Sequence, residues 1–419
     1  MFSTRIDFVA PPFAGHLFPL LDLAGQLRCQ GFDRLRILST PESRRAVALA
    51  GQPLVPLLEG RSHIIFQISD TPQKVGSNPF RMYEQLKLNL GLMQELRNQL
   101  QNEWTVNRPD LVVADFTVPI AGLLAQSMGI RWWTSMPSPC VFETGDGTPS
   151  YLGGWMPPVS AAGRLRDAAG RLAIRTFKNS VHWLFRRRMR ELGIERIYRE
   201  DFTETIYSAD TVLATGLREL EFPRSWPDNM VFIGPLTASP PFPHEPPEFI
   251  ADRPHVLISL GTHLWWAKER AQQLMQAVAE QMPEIVIHFT RGHTGNGPHH
   301  TRTRNFHVYD YIPYDQYLHR YQAAIIHGGT GIMYSCLKHG VPTLVWPQDY
   351  DQFDHAARLT YHQLAIRCEP TVSAVVRDLN QLMNDTAIHQ RIEQMRRLID
   401  EHDAAAGVIR RLRPSSQVH

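Results

Sequence analysis

A chain of 419 residues exceeds what one hydrophobic core usually organises, so two domains of about 200 residues each are expected. Its formal net charge of +2, from mixed acids and bases, argues against the clustered basic face that nucleic acid demands, and no apolar run reaches the roughly 20 residues that span a bilayer. Cys29, Cys140, Cys336 and Cys368 are scattered without a CxxC pair, and strand-like residues begin at Arg5 to Ala10 with no basic region and apolar signal core, so a reducing, cytoplasmic placement is expected.

Apolar strand runs alternate with helical patterns along the chain, the arrangement of an α/β protein built on parallel sheets. In the first half, strands are predicted at Ile6 to Ala10, Leu35 to Ser39, Leu111 to Ala114, Arg131 to Thr134 and Thr211 to Ala214, and helices at Phe18 to Gln30, Pro79 to Asn102 and Pro119 to Met128. Gly234-Pro235-Leu236 and the proline-rich run Thr237 to Phe249 follow. So much proline enters neither sheet nor helix, and the run reads as a semi-rigid linker. A second strand series is predicted at His255 to Leu260, Ile285 to Phe289, His307 to Tyr309, Ala323 to His327 and Thr343 to Trp346. The expected division is an N-terminal domain over 1–235, a linker over 236–250, a C-terminal domain over 251–405 and a tail over 406–419.

The chemistry concentrates at 323–356. Ala323 to Ile326 suit a buried strand, and His327-Gly328-Gly329-Thr330-Gly331 turn it into a helix from about Ile332 to Lys338. A helix start freed by glycines presents unpaired N–H groups and partial positive charge, which suits a diphosphate, with His327 and Thr330 as additional donors. Asp351 and Gln352, past the next strand, can hold neighbouring sugar hydroxyls. In the first half, Pro11-Pro12-Phe13-Ala14-Gly15-His16-Leu17-Phe18-Pro19 places His16 in a loop at the carboxyl end of a strand, the ligand-binding edge of an open α/β sheet. An imidazole there can accept a proton near neutral pH, and Asp115, at the end of another strand, can orient it. The alternative role of Asp115 is to cap the helix near Val118.

The ordered set His327, Gly328, Gly329, Thr330, Gly340, Val341, Pro342, Pro347, Asp351, Gln352 and Ala356 resembles the signature of inverting nucleotide-sugar glycosyltransferases of family 1 type, which include bacterial natural-product glucosyl- and rhamnosyltransferases. The resemblance implies the GT-B fold: two facing Rossmann-like α/β domains with parallel sheets and a cleft between them, and a final helix, here Ile388 to Leu412, crossing back onto the first domain. It implies transfer of a hexose, glucose or rhamnose, from a UDP- or TDP-sugar to a small apolar or aromatic acceptor, with no metal and no resident cofactor. His16 is then the base and Asp115 its partner. Thr262 and His327 to Gly331 hold the diphosphate, Asp351 and Gln352 the sugar, and Tyr311, Ile312 and Ser335 the base and ribose. Ser335 stands where many members carry a ribose-binding glutamate, which brings thymidine nucleotides level with uridine ones. Tyr314 replaces a glutamine and His355 the usual asparagine. Phe13, Trp155, Met156, Phe177 and Trp183 are the expected acceptor wall.

Other signals have plainer readings. Asp349-Tyr350-Asp351 spells a metal-binding DxD, yet its position after a strand assigns Asp351 to the sugar. His288, His293, His299 and His300 read as loop histidines with no metal spacing. The arginine-dense stretch Arg164 to Arg199 is a solvated helical face or a peripheral contact with an anionic membrane or acidic acceptor. Trp265 and Trp266 either touch the sugar or pack in the core. A nucleotide-sugar epimerase or hydrolase, and a silent nucleotide-sugar binder, are the competing readings; oligomeric state is undecided.

Overall fold

Runs such as Ile6-Asp7-Phe8-Val9 and Leu111-Val112-Val113-Ala114-Asp115 are buried along their whole length, as strands covered on both faces must be. In the computed structural model, which describes residues 3–69, 79–263, 265–294 and 300–412, they form the centre of the first of two seven-stranded sheets. Its strands are β1 (Ile6–Val9), β2 (Leu35–Ser39), β3 (Leu54–Pro56), β4 (Leu111–Asp115), β5 (Arg131–Met136), β6 (Thr211–Ala214) and β7 (Met230–Phe232), all parallel in the order β3-β2-β1-β4-β5-β6-β7. The second sheet holds β8 (His255–Ser259), β9 (Val286–Thr290), β10 (His300–Thr303), β11 (Phe306–Tyr309), β12 (Ala323–Ile326), β13 (Thr343–Val345) and β14 (Ala365–Arg367) in the order β10-β11-β9-β8-β12-β13-β14. It is parallel except where β10 pairs antiparallel with β11. Strand order therefore reverses at β1/β4 in one sheet and at β8/β12 in the other.

The helices are α1 (Ala14–Cys29), α2 (Arg44–Leu49), α3 (His63–Ser69), α4 (Pro79–Val106), α5 (Pro119–Ser127), α6 (Ala161–Leu184), α7 (Arg186–Glu191), α8 (Trp265–Gln281), α9 (Tyr314–Tyr317), α10 (Thr330–Lys338), α11 (Gln352–Tyr361), α12 (Val372–Asn384), α13 (Thr386–Asp400) and α14 (Ala404–Leu412). Ten strands lie where the apolar runs predict them. The four unanticipated ones, β3, β7, β10 and β14, are the outer strands of the two sheets. They are three or four residues long and carry exposed or mixed side chains, as His300-Thr301-Arg302-Thr303 does, so they have no continuous apolar run to read.

The expected final helix over Ile388 to Leu412 is two helices. Residues 401–403 break it, and Asp403 accepts the Ala406 N–H at 2.8 Å, capping α14. α13 stays with the second core, while Ala404, Ala405 and Val408 of α14 join the first. The crossing turn fits against Gly234, where a Cβ would lie 2.4 Å from His402 Cβ and where φ is +83°. The linker, irregular over 233–250, is pinned at both ends. Phe242 packs between Phe18 and Tyr311, with ring centroids 5.9 and 5.7 Å away, and the Ile250 N–H donates to His255 Nε2 at 3.0 Å.

α11 ties the two halves directly. Arg358, essentially unexposed, donates to Glu221 at 2.7 Å and lies over the Phe222 ring, while Asp354 accepts the Tyr151 N–H at 2.8 Å. Breaking so buried a pair by removing one partner leaves an uncompensated charge, which typically costs about 3–5 kcal/mol.

Candidate active site

Val9 and Ala114 are register partners, so the residues just beyond β1 and β4 leave the sheet side by side at its reversal point, where open α/β sheets bind ligands. The turn after β1 runs straight into α1, and the N–H groups of His16 and Leu17 return to the Phe13 carbonyl at 3.0 and 2.8 Å. His16 thus stands on the first turn of a helix rather than in the predicted loop. Ala14 and Gly15 add no apolar period, which hides the early start.

His16 Nδ1 lies 3.1 Å from both oxygens of Asp115. A carboxylate only accepts, so Nδ1 carries the hydrogen and Nε2 is left for the cavity beyond. Asp115 is fully buried, and its Oδ1 also accepts the Thr117 N–H at 2.9 Å and the Thr117 hydroxyl at 2.5 Å. These bonds orient the carboxylate toward the ring, while Val118, which caps α5, receives no side-chain bond. Burial alone would depress the His16 pKa. The charge and hydrogen bond of Asp115, with Asp351 across the cleft, outweigh it and raise the pKa above its usual value.

The second reversal point is built from two glycine turns. Ile326 pairs with Ser259, which brings Leu260-Gly261-Thr262 beside His327-Gly328-Gly329. Gly261 and Gly328 have φ of +76° and +91°, and a Cβ on Gly261 or Gly329 would lie 2.8 or 2.4 Å from the His327 ring. The imidazole is therefore clasped between two bare backbones. Its Nδ1 donates to the Ser259 carbonyl at 3.4 Å, and burial pulls its pKa down to about 4. Neutral His327 then offers Nε2 as an acceptor, so the side-chain donor expected for a diphosphate exists here only after protonation. The α10 N-terminus supplies the remaining donors: Gly329 is its N-cap, Thr330 its first residue, and the space at Gly331 is open.

His355 holds this turn from behind, donating from Nδ1 to the Gly328 carbonyl at 2.7 Å while itself buried. The sequence marks it only as a departure from asparagine; its role became visible through the fold. Gln352 also braces a loop, since its Oε1 accepts the N–H groups of Gln348 and Asp349 at 2.8 and 3.2 Å, leaving its amide NH2 for a ligand. Asp351 accepts the Ser138 hydroxyl at 2.6 Å from the other half of the molecule.

A cavity of about 480 Å³ joins the two turns. Its walls include His16, Thr262, His327, Gly329, Thr330, Gly331, Asp351 and Gln352 from the expected set, with Tyr311 and Ser335. Tyr314, whose hydroxyl meets Ser259 Oγ at 2.6 Å, lies between them. The far end is apolar. Phe13, Leu57, Ile65, Leu92, Met93 and Phe116 line it, with Ser39, whose buried hydroxyl has no partner among the described residues, at the end of β2.

Of the residues expected to wall the acceptor, only Phe13 lines the cavity. Trp155 packs beside Gly170 with Arg166 over its ring, and Phe177 and Trp183 are 50% and 67% exposed on α6. The apolar side chains that line this end come from the segment just after β3 and from α3 and α4, and they carry no motif. Ile312 is likewise a core residue, buried among the side chains of the second sheet. Trp265 and Trp266 are 45% and 37% exposed and belong neither to the cavity nor to the core; Lys268 sits over Trp265. His288 lies within β9 and His300 within β10 rather than in loops, the first stacked on His307 at 5.3 Å; His299 lies outside the described residues. Among the described residues no group of three His, Cys, Asp or Glu is arranged to hold a metal ion, and no helix is long and apolar enough to cross a membrane.

Comparisons with known proteins agree with this architecture. UDP-glucuronosyltransferase 2B14 of Oryctolagus cuniculus is 27% identical over 308 residues, covering 68% of this chain and 57% of its own length. UDP-glucuronosyltransferase 2B15 of Homo sapiens is 24% identical over 330 residues, covering 74% of this chain and 60% of its own. The chain thus spans about three-fifths of the length of the curated relatives it matches. Among solved structures, the glycotransferase of kitacinnamycin matches with a TM-score of 0.72 at 21% identity, over 99% of this chain and 100% of that one. Spinosyn rhamnosyltransferase SpnG, complexed with thymidine diphosphate, matches with a TM-score of 0.65 at 18% identity, over 97% and 99%. At these identities the likeness establishes the fold, the two-domain GT-B arrangement. The family model described as UDP-glucoronosyl and UDP-glucosyl transferase matches residues 92–403, well over half of the chain, and the chain belongs to that family.

Proposed function

We propose that this protein is an inverting glycosyltransferase that moves a hexose from a UDP- or TDP-sugar to the hydroxyl of a small, apolar acceptor. The observation that carries the reading is the bidentate approach of His16 Nδ1 to buried Asp115, with the ring on the wall of a cavity whose opposite wall is the α10 N-terminus. His16 Nε2 takes the acceptor proton as the hydroxyl oxygen attacks the anomeric carbon. The bond from that carbon to the diphosphate breaks on the opposite face, and the electron pair leaves with the nucleoside diphosphate. Asp115 stabilises the imidazolium, and the N–H groups at Thr330 and Gly331, with the Thr262 and Thr330 hydroxyls, receive the growing charge on the leaving group. This assigns charge neutralisation to the protein rather than to a cation, and turnover that survives exhaustive chelation is expected.

Asp351 and Gln352 are assigned to the sugar, through one free Asp351 oxygen and the Gln352 NH2. Tyr311, Tyr314 and Ser335 are assigned to the nucleoside. Asp351 is the only carboxylate among the described lining residues, so the ribose end recognises its ligand through hydroxyl groups and suits a deoxyribose at least as well as a ribose. The apolar wall from α3 and α4 supports apolar, hydroxylated small molecules as acceptors, and a cytoplasmic location is part of the same proposal.

Nucleotide release from UDP- and TDP-hexoses with a panel of such acceptors tests the reading. Acceptor-dependent release that His16→Ala abolishes is expected. Donor conversion without any acceptor, followed by NMR, would instead identify an epimerase or hydrolase, and binding without turnover a silent binder. Calorimetry with UDP and TDP decides the nucleotide.

A further inference from the structure

Amphipathic surface helices normally turn their apolar stripe toward the core. α6 is mounted the other way. Its polar side faces the protein: Asp167 is buried and accepts the Thr148 hydroxyl at 2.8 Å, Arg175 donates to the Thr144 carbonyl at 2.8 Å, and Lys178 reaches Glu204 at 3.0 Å and also Glu143. Its outward side runs through Ala161, Leu165, Ala169, Leu172, Thr176, Asn179, Ser180 and Trp183, a stripe at helical spacing with no charged member. Leu165, Leu172 and Trp183 are 73%, 66% and 67% exposed. From Ala161 to Trp183 this uncharged face is about 33 Å long, and its three large apolar side chains stand out to solvent along it.

Charge decides what such a face meets. Arg171, Arg175 and Lys178 point into the protein, while Arg164, Arg166, Arg186, Arg187, Arg188 and Arg190 remain at the outer side and ends of α6 and α7 against one carboxylate, Glu191, which Arg187 meets at 3.4 Å, in a chain whose net charge is only +2. Arg164, Arg186, Arg187, Arg188 and Arg190 are exposed at the ends of the stripe, and Arg186 stacks on Trp183 at 5.3 Å. A second copy of the same face would bring these cations against one another. An anionic lipid surface satisfies both parts: the leucines and indole enter the acyl boundary, the arginines reach the headgroups, and a helix too polar to cross the bilayer lies in its plane.

We propose that the outward face of α6, together with the arginines of α7, docks this protein on an anionic membrane surface. The helix packs near the element that walls the apolar end of the cavity. Just beyond α6, Phe185 stacks on Tyr83 of α4 at 5.2 Å, and α4 carries the cavity-wall residues Leu92 and Met93. Docking would therefore bring the acceptor site to the surface where apolar hydroxylated compounds partition. The membrane contact itself does not depend on the proposed reaction.

Flotation of the full chain with phosphatidylcholine vesicles, with and without phosphatidylglycerol, tests it. Flotation with the anionic vesicles that weakens as salt rises is expected. Leu172→Ser with Trp183→Ser should lower binding roughly tenfold or more, Trp183→Phe should retain it, and Arg187→Glu with Arg188→Glu should remove the anionic preference, at about fivefold for each arginine lost. These side chains face solvent, so the thermal midpoint and turnover of a soluble acceptor should not change. Failure to float with anionic vesicles at low salt would overturn the proposal, as would undiminished binding by the Leu172/Trp183 variant. A fall in that variant's thermal midpoint would place the stripe inside the protein, and a dimer that the variant dissolves, seen by light scattering, would assign the face to a second copy.

Discussion

Two histidines occupy equivalent places in the two halves, each just past a central strand at a reversal point of its sheet, and the structure sets them in opposite states. His16 gives its Nδ1 hydrogen to a buried carboxylate, and its pKa rises. His327 gives the same hydrogen to a neutral carbonyl between two glycines, and its pKa falls to about 4. The fold decides position, and the partner of one ring nitrogen decides chemistry: in the proposed mechanism one histidine takes a proton and the other remains neutral beside the glycine turn.

The largest test of this contrast is His16→Ala, which should lower kcat/KM by roughly a thousandfold, within the usual range for a general base, while nucleotide affinity stays unchanged. Similar losses from His16→Ala and His327→Ala in kcat alone would erase the distinction. Asp115→Asn keeps the shape but removes the charge and should cost about a hundredfold in kcat, with the acid limb of the profile moving to lower pH. Gly329→Ala should raise the donor KM by roughly tenfold or more at nearly constant kcat, because its Cβ would meet the His327 ring at 2.4 Å and something must shift.

Proton-dependent behaviour sharpens the comparison further. Since His16 must be unprotonated to act, kcat/KM should fall on the acid side about a pKa lying above the ordinary histidine value, as read from a pH–rate profile. Stability runs oppositely for the two rings. The contribution of His16 is present below its unfolded pKa and is lost as pH rises through its raised folded value. That of His327, depressed to about 4, is present above the unfolded value and is lost as pH falls from there toward about 4. The same holds for His288, buried in β9 and depressed to about 2. Each should cost about 2 kcal/mol of unfolding free energy by about pH 5, measured by chemical denaturation. A flat stability over that window would break the contrast.

Much of the second half was legible because its chemistry is local. Gly328, Gly329 and Thr330 follow a buried strand in sequence, so the turn, its helix and its exposed N–H groups come from consecutive residues. His16 and Asp115 are 99 residues apart in sequence, yet each follows or ends an apolar run, and the adjacency of β1 and β4 at the reversal of strand order brings them together. The apolar end of the cavity had no comparable signal. Leu57, Ile65 and Leu92 are ordinary apolar residues on separate elements, whereas the aromatics of α6 that drew attention face away from the cavity. The outer strands escaped for a related reason, since a strand covered on one side keeps polar residues and loses its pattern.

By itself the sequence determined the central strands, the two ligand-binding edges and the residue types at each, because periodicity and turn chemistry are written in neighbouring residues. Tertiary structure alone decided the tautomer of each histidine, the bracing duties of Gln352 and His355, which side chains line the apolar end of the cavity and the outward mounting of α6. Those depend on which groups from distant segments meet in a buried space, where one hydrogen bond or one charge outweighs any local preference.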